Sequence, residues 1–224
     1  MRNSDGMPET PQPSFSVKRP PRKPTNASRR TREDLTPQEV DRVIAVARKM
    51  GRHAVRNTAL LLLMYRHGLR VAEAVALRWE VVDMQTGTIH VCRVKQGRAA
   101  VHPLRGPELR ALRQLRRTYP GTAYLFVSER GGPLTARAAP HIVLRAGEMA
   151  GLSFPIHPHM LRHACGFYLA NRGVDTRAIQ QYLGHCNMQH TVRYTALTPR
   201  GGSHFASWHD ERQRHVSQPA RGLL

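Results

Sequence analysis

Apolar residues recur at helical spacing along most of this chain and switch to alternation in one early stretch. Order begins at Thr36-Pro37-Gln38-Glu39, where a capping threonine, a proline at the first helical position and a glutamate at the third form a capping box. Val40, Val43, Ile44 and Ala47 follow at helical spacing. A second helix is predicted over 54–67, stopped by Gly68, and a shorter third one over 70–77. Residues 88–94 then alternate as a strand does, Lys95-Gln96-Gly97-Arg98 reads as a hairpin turn, and 99–104 return as a second strand. Leu109, Leu112 and Leu115 mark another helix, and 124–127 a third short strand closed by Gly131-Gly132. Helices are predicted over 135–151 and 158–173, and from an Asp175 cap to a Gly184 stop. A turn or helix carrying Tyr194 follows, then a last helix with Phe205 and Trp208. The expected fold is α+β: one mainly helical domain over 35–210 with a small antiparallel β-sheet inserted early.

The flanks read differently. Residues 1–34 hold Pro8, Pro11, Pro13, Pro20, Pro21 and Pro24 among basic pairs at Lys18-Arg19, Arg22-Lys23 and Arg29-Arg30. With little to bury and no periodicity, this stretch is expected to be a disordered basic arm, and 211–224 a flexible polar tail. No apolar run approaches the roughly 20 residues that cross a bilayer, and the polar, proline-rich start does not resemble a signal peptide. Cys92, Cys165 and Cys186 are odd in number and scattered, as expected of reduced thiols in a cytoplasmic protein.

Charge changes the picture. Lys plus Arg number 35 against 15 Asp plus Glu, a formal net charge of +20 on 224 residues. Only Lys18, Lys23, Lys49 and Lys95 of the basic set are lysine. So strong a field favours a polyanion, and guanidinium forks suit bidentate contacts to phosphate. A nucleic-acid partner is the reading that charge supports.

Five segments could carry chemistry: Gly68-Leu69-Arg70-Val71-Ala72-Glu73, Lys95 in its hairpin, His159-Met160-Leu161-Arg162-His163, Leu183-Gly184-His185 and Arg193-Tyr194. Singly each has an ordinary explanation, such as a surface arginine, a solvated turn lysine or a packing tyrosine among five others. Together, in chain order, they resemble the catalytic set of the tyrosine recombinase (phage integrase) family: Arg, Lys, His-x-x-Arg, His or Trp, and Tyr. Arg70 lies in GLRVAEA with Glu73 three positions on, Lys95 precedes Pro103 by eight residues, His159 and Arg162 form HxxR, His185 closes LGH, and Tyr194 follows it by nine. Within the family, HPHMLRHACG, QQYLGHCN and HTVRYTA are most similar to the short recombinases that invert a fimbrial promoter switch.

The resemblance implies DNA cleavage and rejoining through a 3′-phosphotyrosyl bond on Tyr194, with no cofactor and no metal. The chemistry fits the residue types. Arg70 and Arg162 can each present a fork to the non-bridging oxygens, and a positive pocket is expected to ease deprotonation of the Tyr194 phenol, ordinarily near pKa 10. Lys95 is the best donor for the 5′-oxygen, while His159 and His185 accept or share the phenol proton and bond the phosphate. His159 and Arg162, three apart, share a helix face. Glu73 is expected to orient Arg70 by an ion pair, and His163 to buttress the site or pack. Lys18, Arg19, Arg22, Lys23, Arg98 and Arg193 are candidate DNA contacts.

Two other readings compete with this one. A metal-dependent nuclease fits poorly, because His157, His159, His163, His185, Cys165 and Cys186 match no ligand spacing and only Glu148 and Asp175 are acidic between Gly131 and Arg200. A non-catalytic DNA-binding regulator fits the charge but has no use for the six catalytic-type residues. The implied partners are duplex DNA with paired recombination sites and three further copies of this chain in a tetramer. Phe205 and Trp208 would anchor the protein contact. Most family members carry a helical domain before the catalytic one. The sequence before Thr36 shows only the arm, which points to accessory DNA-bending proteins.

Overall fold

The computed structural model describes residues 32–93 and 99–196, apart from the side chain of Ala99. Three helices begin with the same device, a glutamate at the third position folding back onto the backbone N–H of the capping residue. In α1 (Pro37–Ala47), Glu39 accepts from the Thr36 N–H at 2.8 Å. In α3 (Val71–Val75), Glu73 does so for Arg70, also at 2.8 Å. In α4 (Gly106–Thr118), Glu108 does so for Arg105 at 3.0 Å. For α3 the device has a second effect: it draws the Glu73 carboxylate inward at the foot of the helix that Arg70 opens.

The centre of the fold is α2 (Ala54–Arg66), in which every residue from Ala59 to Tyr65 is buried. A helix apolar on all sides must be surrounded, and α2 packs against α1, α4 and α6 (Pro158–Asn171). Leu60, Leu61, Leu63 and Met64 are at most 1% exposed, each contributing about 1.5–3 kcal/mol of burial. Helix α5 (Ala138–Met149) closes the core beside α1 and α6.

The sheet has three antiparallel strands in the order β1 (Val82–Asp83), β2 (Thr88–Cys92), β3 (Ala99–Pro103), with Ile89 opposite His102 and Val91 opposite Ala100. The two long strands stand where alternation puts them. The third does not. Residues 124–127 make only isolated bridges, Tyr124 with Arg78 and Val127 with Pro133, and the edge strand is Val82–Asp83 instead. Leu125, Phe126 and Val127 are all buried, so this stretch is a core-filling loop, and the chain beside it is turned into a short 3₁₀ segment, Trp79–Val81, that offers no continuous ladder.

The last three helices carry most of the candidate chemistry. Helix α7 (Thr176–Leu183) starts at Asp175, whose carboxylate accepts from the N–H groups of Arg177 and Ala178. It ends at Gly184 in the left-handed conformation, φ +64°. Helix α8 (Gln189–Ala196) then packs on α6 and α7. Among the described residues no helix is long and apolar enough to cross a membrane.

Candidate active site

Glu73 is the hub. Its side chain is 1% exposed and bonded on both oxygens. Oε1 accepts from Nη1 of Arg70 at 2.8 Å, and Oε2 accepts from the Arg70 backbone and from Nη1 of Arg93 at 2.7 Å. Nη1 of Arg162 stands 4.0 Å from Oε2, outside hydrogen-bond range. Burial alone would raise the Glu73 pKa, but the Arg70 N–H and the charges of Arg93 and Arg70 outweigh it and hold the carboxylate below its usual range.

Arg70 and Arg162 meet at the end of α7. Nη2 of Arg70 donates to the Gly184 carbonyl at 3.2 Å, and Nη2 of Arg162 donates to the neighbouring Leu183 carbonyl at 2.5 Å. Nη1 of Arg162 also donates to the Gly68 carbonyl, two residues before Arg70. The guanidiniums that the sequence places 92 positions apart are therefore oriented by adjacent backbone oxygens. Burial, then repulsion from Arg70 and Arg93, lowers the Arg162 pKa to about 10, still charged at neutral pH.

Tyr194 is fully buried. Its ring lies edge-on to Phe167, with centroids 5.0 Å apart, and roughly parallel to His185 at 6.2 Å. Its hydroxyl shares a 2.8 Å hydrogen bond with Nδ1 of His163. Burial raises the phenol pKa to about 12, and the opposing charges of Arg162 and Arg193 are too weak to reverse it. The expectation that a positive pocket eases deprotonation is thus corrected for the DNA-free chain: desolvation wins over Coulomb attraction. Burial also lowers His163 to about 4, helped by Arg193, and His185 to about 3, helped by Arg162 and Arg70. Both imidazoles are neutral at pH 7. Nδ1 of His185 shares a 2.9 Å hydrogen bond with the Thr191 hydroxyl, leaving Nε2 for other partners.

His163, read from sequence as a buttress, is the imidazole that meets the phenol. His159 is exposed on the same helix, its ring 6.4 Å from that of His163, whereas Arg162 turns inward and is 3% exposed. Three residues fall short of a full turn, so the expected shared face is divided, with His159 at its rim and Arg162 beneath it. Arg193 is half-exposed and pairs with Glu33 at 3.3 Å. Lys18, Arg19, Arg22, Lys23, Lys95, Arg98, Phe205 and Trp208 lie outside the described residues, as do the arm up to residue 31 and the tail over 211–224. Among the described residues no group of three or more His, Cys, Asp and Glu is placed to hold a metal ion.

Sequence reasoning missed Arg93 and the cluster beside it. Arg93 is 4% exposed, and its Nη2 donates to the carbonyls of His67 and Tyr182. A signal was present: Ile89 and Val91 face inward, so the same alternation turns residue 93 inward and buries a charge that needs a partner. His102 faces inward too, stacked on Tyr182 with ring centroids 3.8 Å apart and 3.3 Å from His67 between Nδ1 atoms. Nε2 of His67 lies 3.1 Å from Glu108 Oε1, without hydrogen-bond geometry.

Residues 33–200 match the phage integrase family. Over 197 residues, 85% of this chain and 97% of the relative, the sequence is 42% identical to the type 1 fimbriae regulatory protein FimB of Escherichia coli K12. It is 45% identical over 171 residues to FimE of the same strain, covering 74% of this chain and 86% of the relative. The fold is shared with the XerH site-specific recombinase, solved in a post-cleavage complex with a palindromic difH substrate. The TM-score is 0.66 at 24% identity, over 79% of this chain and 53% of that one.

Proposed function

The chain belongs to the phage integrase family of tyrosine recombinases, and from that premise we propose that it cleaves and rejoins duplex DNA with Tyr194 as nucleophile. Arg70 and Arg162 would grip the two non-bridging oxygens of the scissile phosphate. The observation that carries this reading is their convergence on the consecutive carbonyls of Leu183 and Gly184, beside His185, with Arg162 on the same helix as Phe167, which packs on Tyr194. Each terminal nitrogen that donates to one of these carbonyls keeps a second N–H, so both forks are oriented without being used up.

In the cleavage step the Tyr194 oxygen bonds to phosphorus, the bond from phosphorus to the 5′-oxygen breaks, and the 3′-phosphotyrosyl ester forms. The phenol proton passes to a neutral imidazole, and His163, 2.8 Å from the phenol oxygen, supports that role more directly than His159. His185 would bond the phosphate. The 5′-oxygen takes its proton from Lys95, which holds the acid position of the family pattern. The ester conserves the energy of the broken bond, so an exchanged 5′-hydroxyl can reverse the step on a new partner without ATP.

By likeness to the two fimbriae regulatory proteins, the substrate would be a segment flanked by paired inverted repeats, inverted by two rounds of exchange through a Holliday junction in a tetramer. Phe205 and Trp208 would anchor contacts between copies, and Lys18, Arg19, Arg22, Lys23 and Arg98 would contact phosphates, in a domain spanning 35–210. The test is incubation with a nicked suicide duplex in EDTA, followed by denaturing electrophoresis. A protein–DNA adduct that vanishes in Tyr194→Phe while duplex binding persists is the expected result. Equal adduct in Tyr194→Phe, or none in the unaltered chain, refutes the assignment.

A further inference from the structure

Three guanidiniums surround one buried carboxylate at the candidate site, and the phosphate grip uses only two of them. Arg93 is 4% exposed and reaches inward: Nη1 goes to Glu73, and Nη2 goes to the carbonyls of His67 and Tyr182. Its stem passes where Gly184 lacks a side chain, since a Cβ there would stand 2.7 Å from Arg93 Cγ. Both N–H groups of Nη2 go to carbonyls and Nη1 is held by Glu73, so Arg93, unlike Arg162, has no fork left for a phosphate. Its partner is Oε2 of Glu73, the same oxygen that stands 4.0 Å from Nη1 of Arg162.

We propose that Arg93 is a positioning residue that saturates Glu73, so that the carboxylate holds Arg70 without capturing Arg162. The proposal rests on the reading of Arg70 and Arg162 as the phosphate grip. Without Arg93, Oε2 would keep only the Arg70 N–H, and a buried charge stripped of its cationic partner draws in the nearest replacement. Here that replacement is Arg162, about one ångström beyond bonding distance. Turned onto Glu73, Arg162 would present a neutralised pair, and not a free cation, to the incoming phosphate. With Arg93 in place, the one negative charge of Glu73 is shared by Arg70 and Arg93, and Arg162 keeps its full charge for the phosphate.

The test uses the full chain and suicide duplexes with either an ordinary scissile phosphate or a methylphosphonate, in which a methyl group replaces one charged oxygen and less positive charge is needed. Arg93→Met is expected to bind duplex normally but to lose about 100-fold in adduct formation on the ordinary phosphate. On methylphosphonate it is expected to approach the rate of the unaltered chain. The double variant Glu73→Gln, Arg93→Met removes the carboxylate's pull and should recover much of the loss, which restoring lost packing would not do. Equal losses on both substrates, with no recovery in the double variant, overturn the proposal.

Arg162→Ala separates this from the underlying reading. If Arg162→Ala gains nothing from methylphosphonate, the phosphate-grip assignment fails and the Arg93 role with it. If Arg162→Ala is rescued and Arg93→Met is not, the Arg93 proposal alone fails. Should Arg93→Met not fold, Arg93→Lys decides: it keeps the charge on Glu73 but cannot serve both carbonyls. Cleavage retained in the folded lysine variant supports the proposal, and loss on both substrates overturns it.

Discussion

Gly166 makes the space that the ring of Tyr194 fills. A Cβ at residue 166 would stand 2.6 Å from Cε2 and Cζ of that ring, closer than real side chains approach. Helix α6 therefore positions the candidate nucleophile twice, by an absent side chain at 166 and by the hydrogen bond that the phenol shares with His163. Gly166→Ala is expected to destabilise the fold by about 1–3 kcal/mol through overpacking, and to reduce adduct formation with a suicide duplex. In a Tyr194→Ala background the ring is gone, so the same substitution should cost almost nothing in urea unfolding. An equal cost in both backgrounds would place the strain elsewhere.

Gly184 and Gly173 both have positive φ, +64° and +74°, but only Gly184 faces a neighbour. A Cβ at 173 would meet nothing within 4 Å, whereas one at 184 would press on the stem of Arg93. Gly173→Ala should cost only the left-handed backbone penalty, about 1–2 kcal/mol. Gly184→Ala should cost clearly more and also impair cleavage, because it displaces Arg93 from Glu73. Urea unfolding of the two variants side by side is the measurement, and equal costs would show that Arg93 yields freely.

The acid limb of stability should report the buried histidines. Burial lowers His102 to about 3, reinforced by His67 and Arg93, and holds His163 near 4 and His185 near 3. A histidine depressed in the fold below its unfolded value of about 6.5 contributes stability that is complete above that value and is lost as pH falls toward the folded pKa. Unfolding free energy should therefore drop between about pH 6.5 and pH 4, each such histidine contributing roughly 1.4 kcal/mol per pH unit. His102→Gln should lower the steepness of this limb by about one proton, read from urea melts across the window. An unchanged slope in that variant would mean that His102 is not the neutral, buried group its surroundings require.

The sequence disclosed some of these relations and hid others for physical reasons. Helix starts were legible because caps are local: Thr36 with Glu39 and Asp175 with its helix are set by neighbours in the chain. The Arg70–Glu73 pair was legible for the same reason, being three apart. The closeness of Arg70 and Arg162 followed from the family pattern alone, since no local rule joins residues bridged by the carbonyls of 183 and 184. The Tyr194 pKa was misread because burial is a property of the packed fold, and a count of nearby cations omits it. Gly166 carried no signal, as one small residue in a helix looks like any other until the ring that needs it arrives from α8. The misplaced strand at 124–127 shows the same limit: an apolar run states that it is buried, not that it has a ladder to join.

Arg193 offers a test of DNA contact that leaves the fold alone. Its guanidinium and the Glu33 carboxylate are 3.3 Å apart with side chains 43% and 47% exposed, an ion pair in water-like surroundings. Such pairs contribute little, so Arg193→Ala should leave stability within about 0.5 kcal/mol. A phosphate carries the same charge as Glu33 and on a chain of net charge +20 arrives at high local concentration, so it would compete for the guanidinium. Duplex affinity should therefore fall in Arg193→Ala, and the slope of log affinity against log salt should shrink by about one. Glu33→Gln, which frees the guanidinium, should do the opposite and tighten binding at low salt. Fluorescence anisotropy over a sodium chloride series distinguishes the outcomes, and an unchanged slope in Arg193→Ala would remove this residue from the DNA interface.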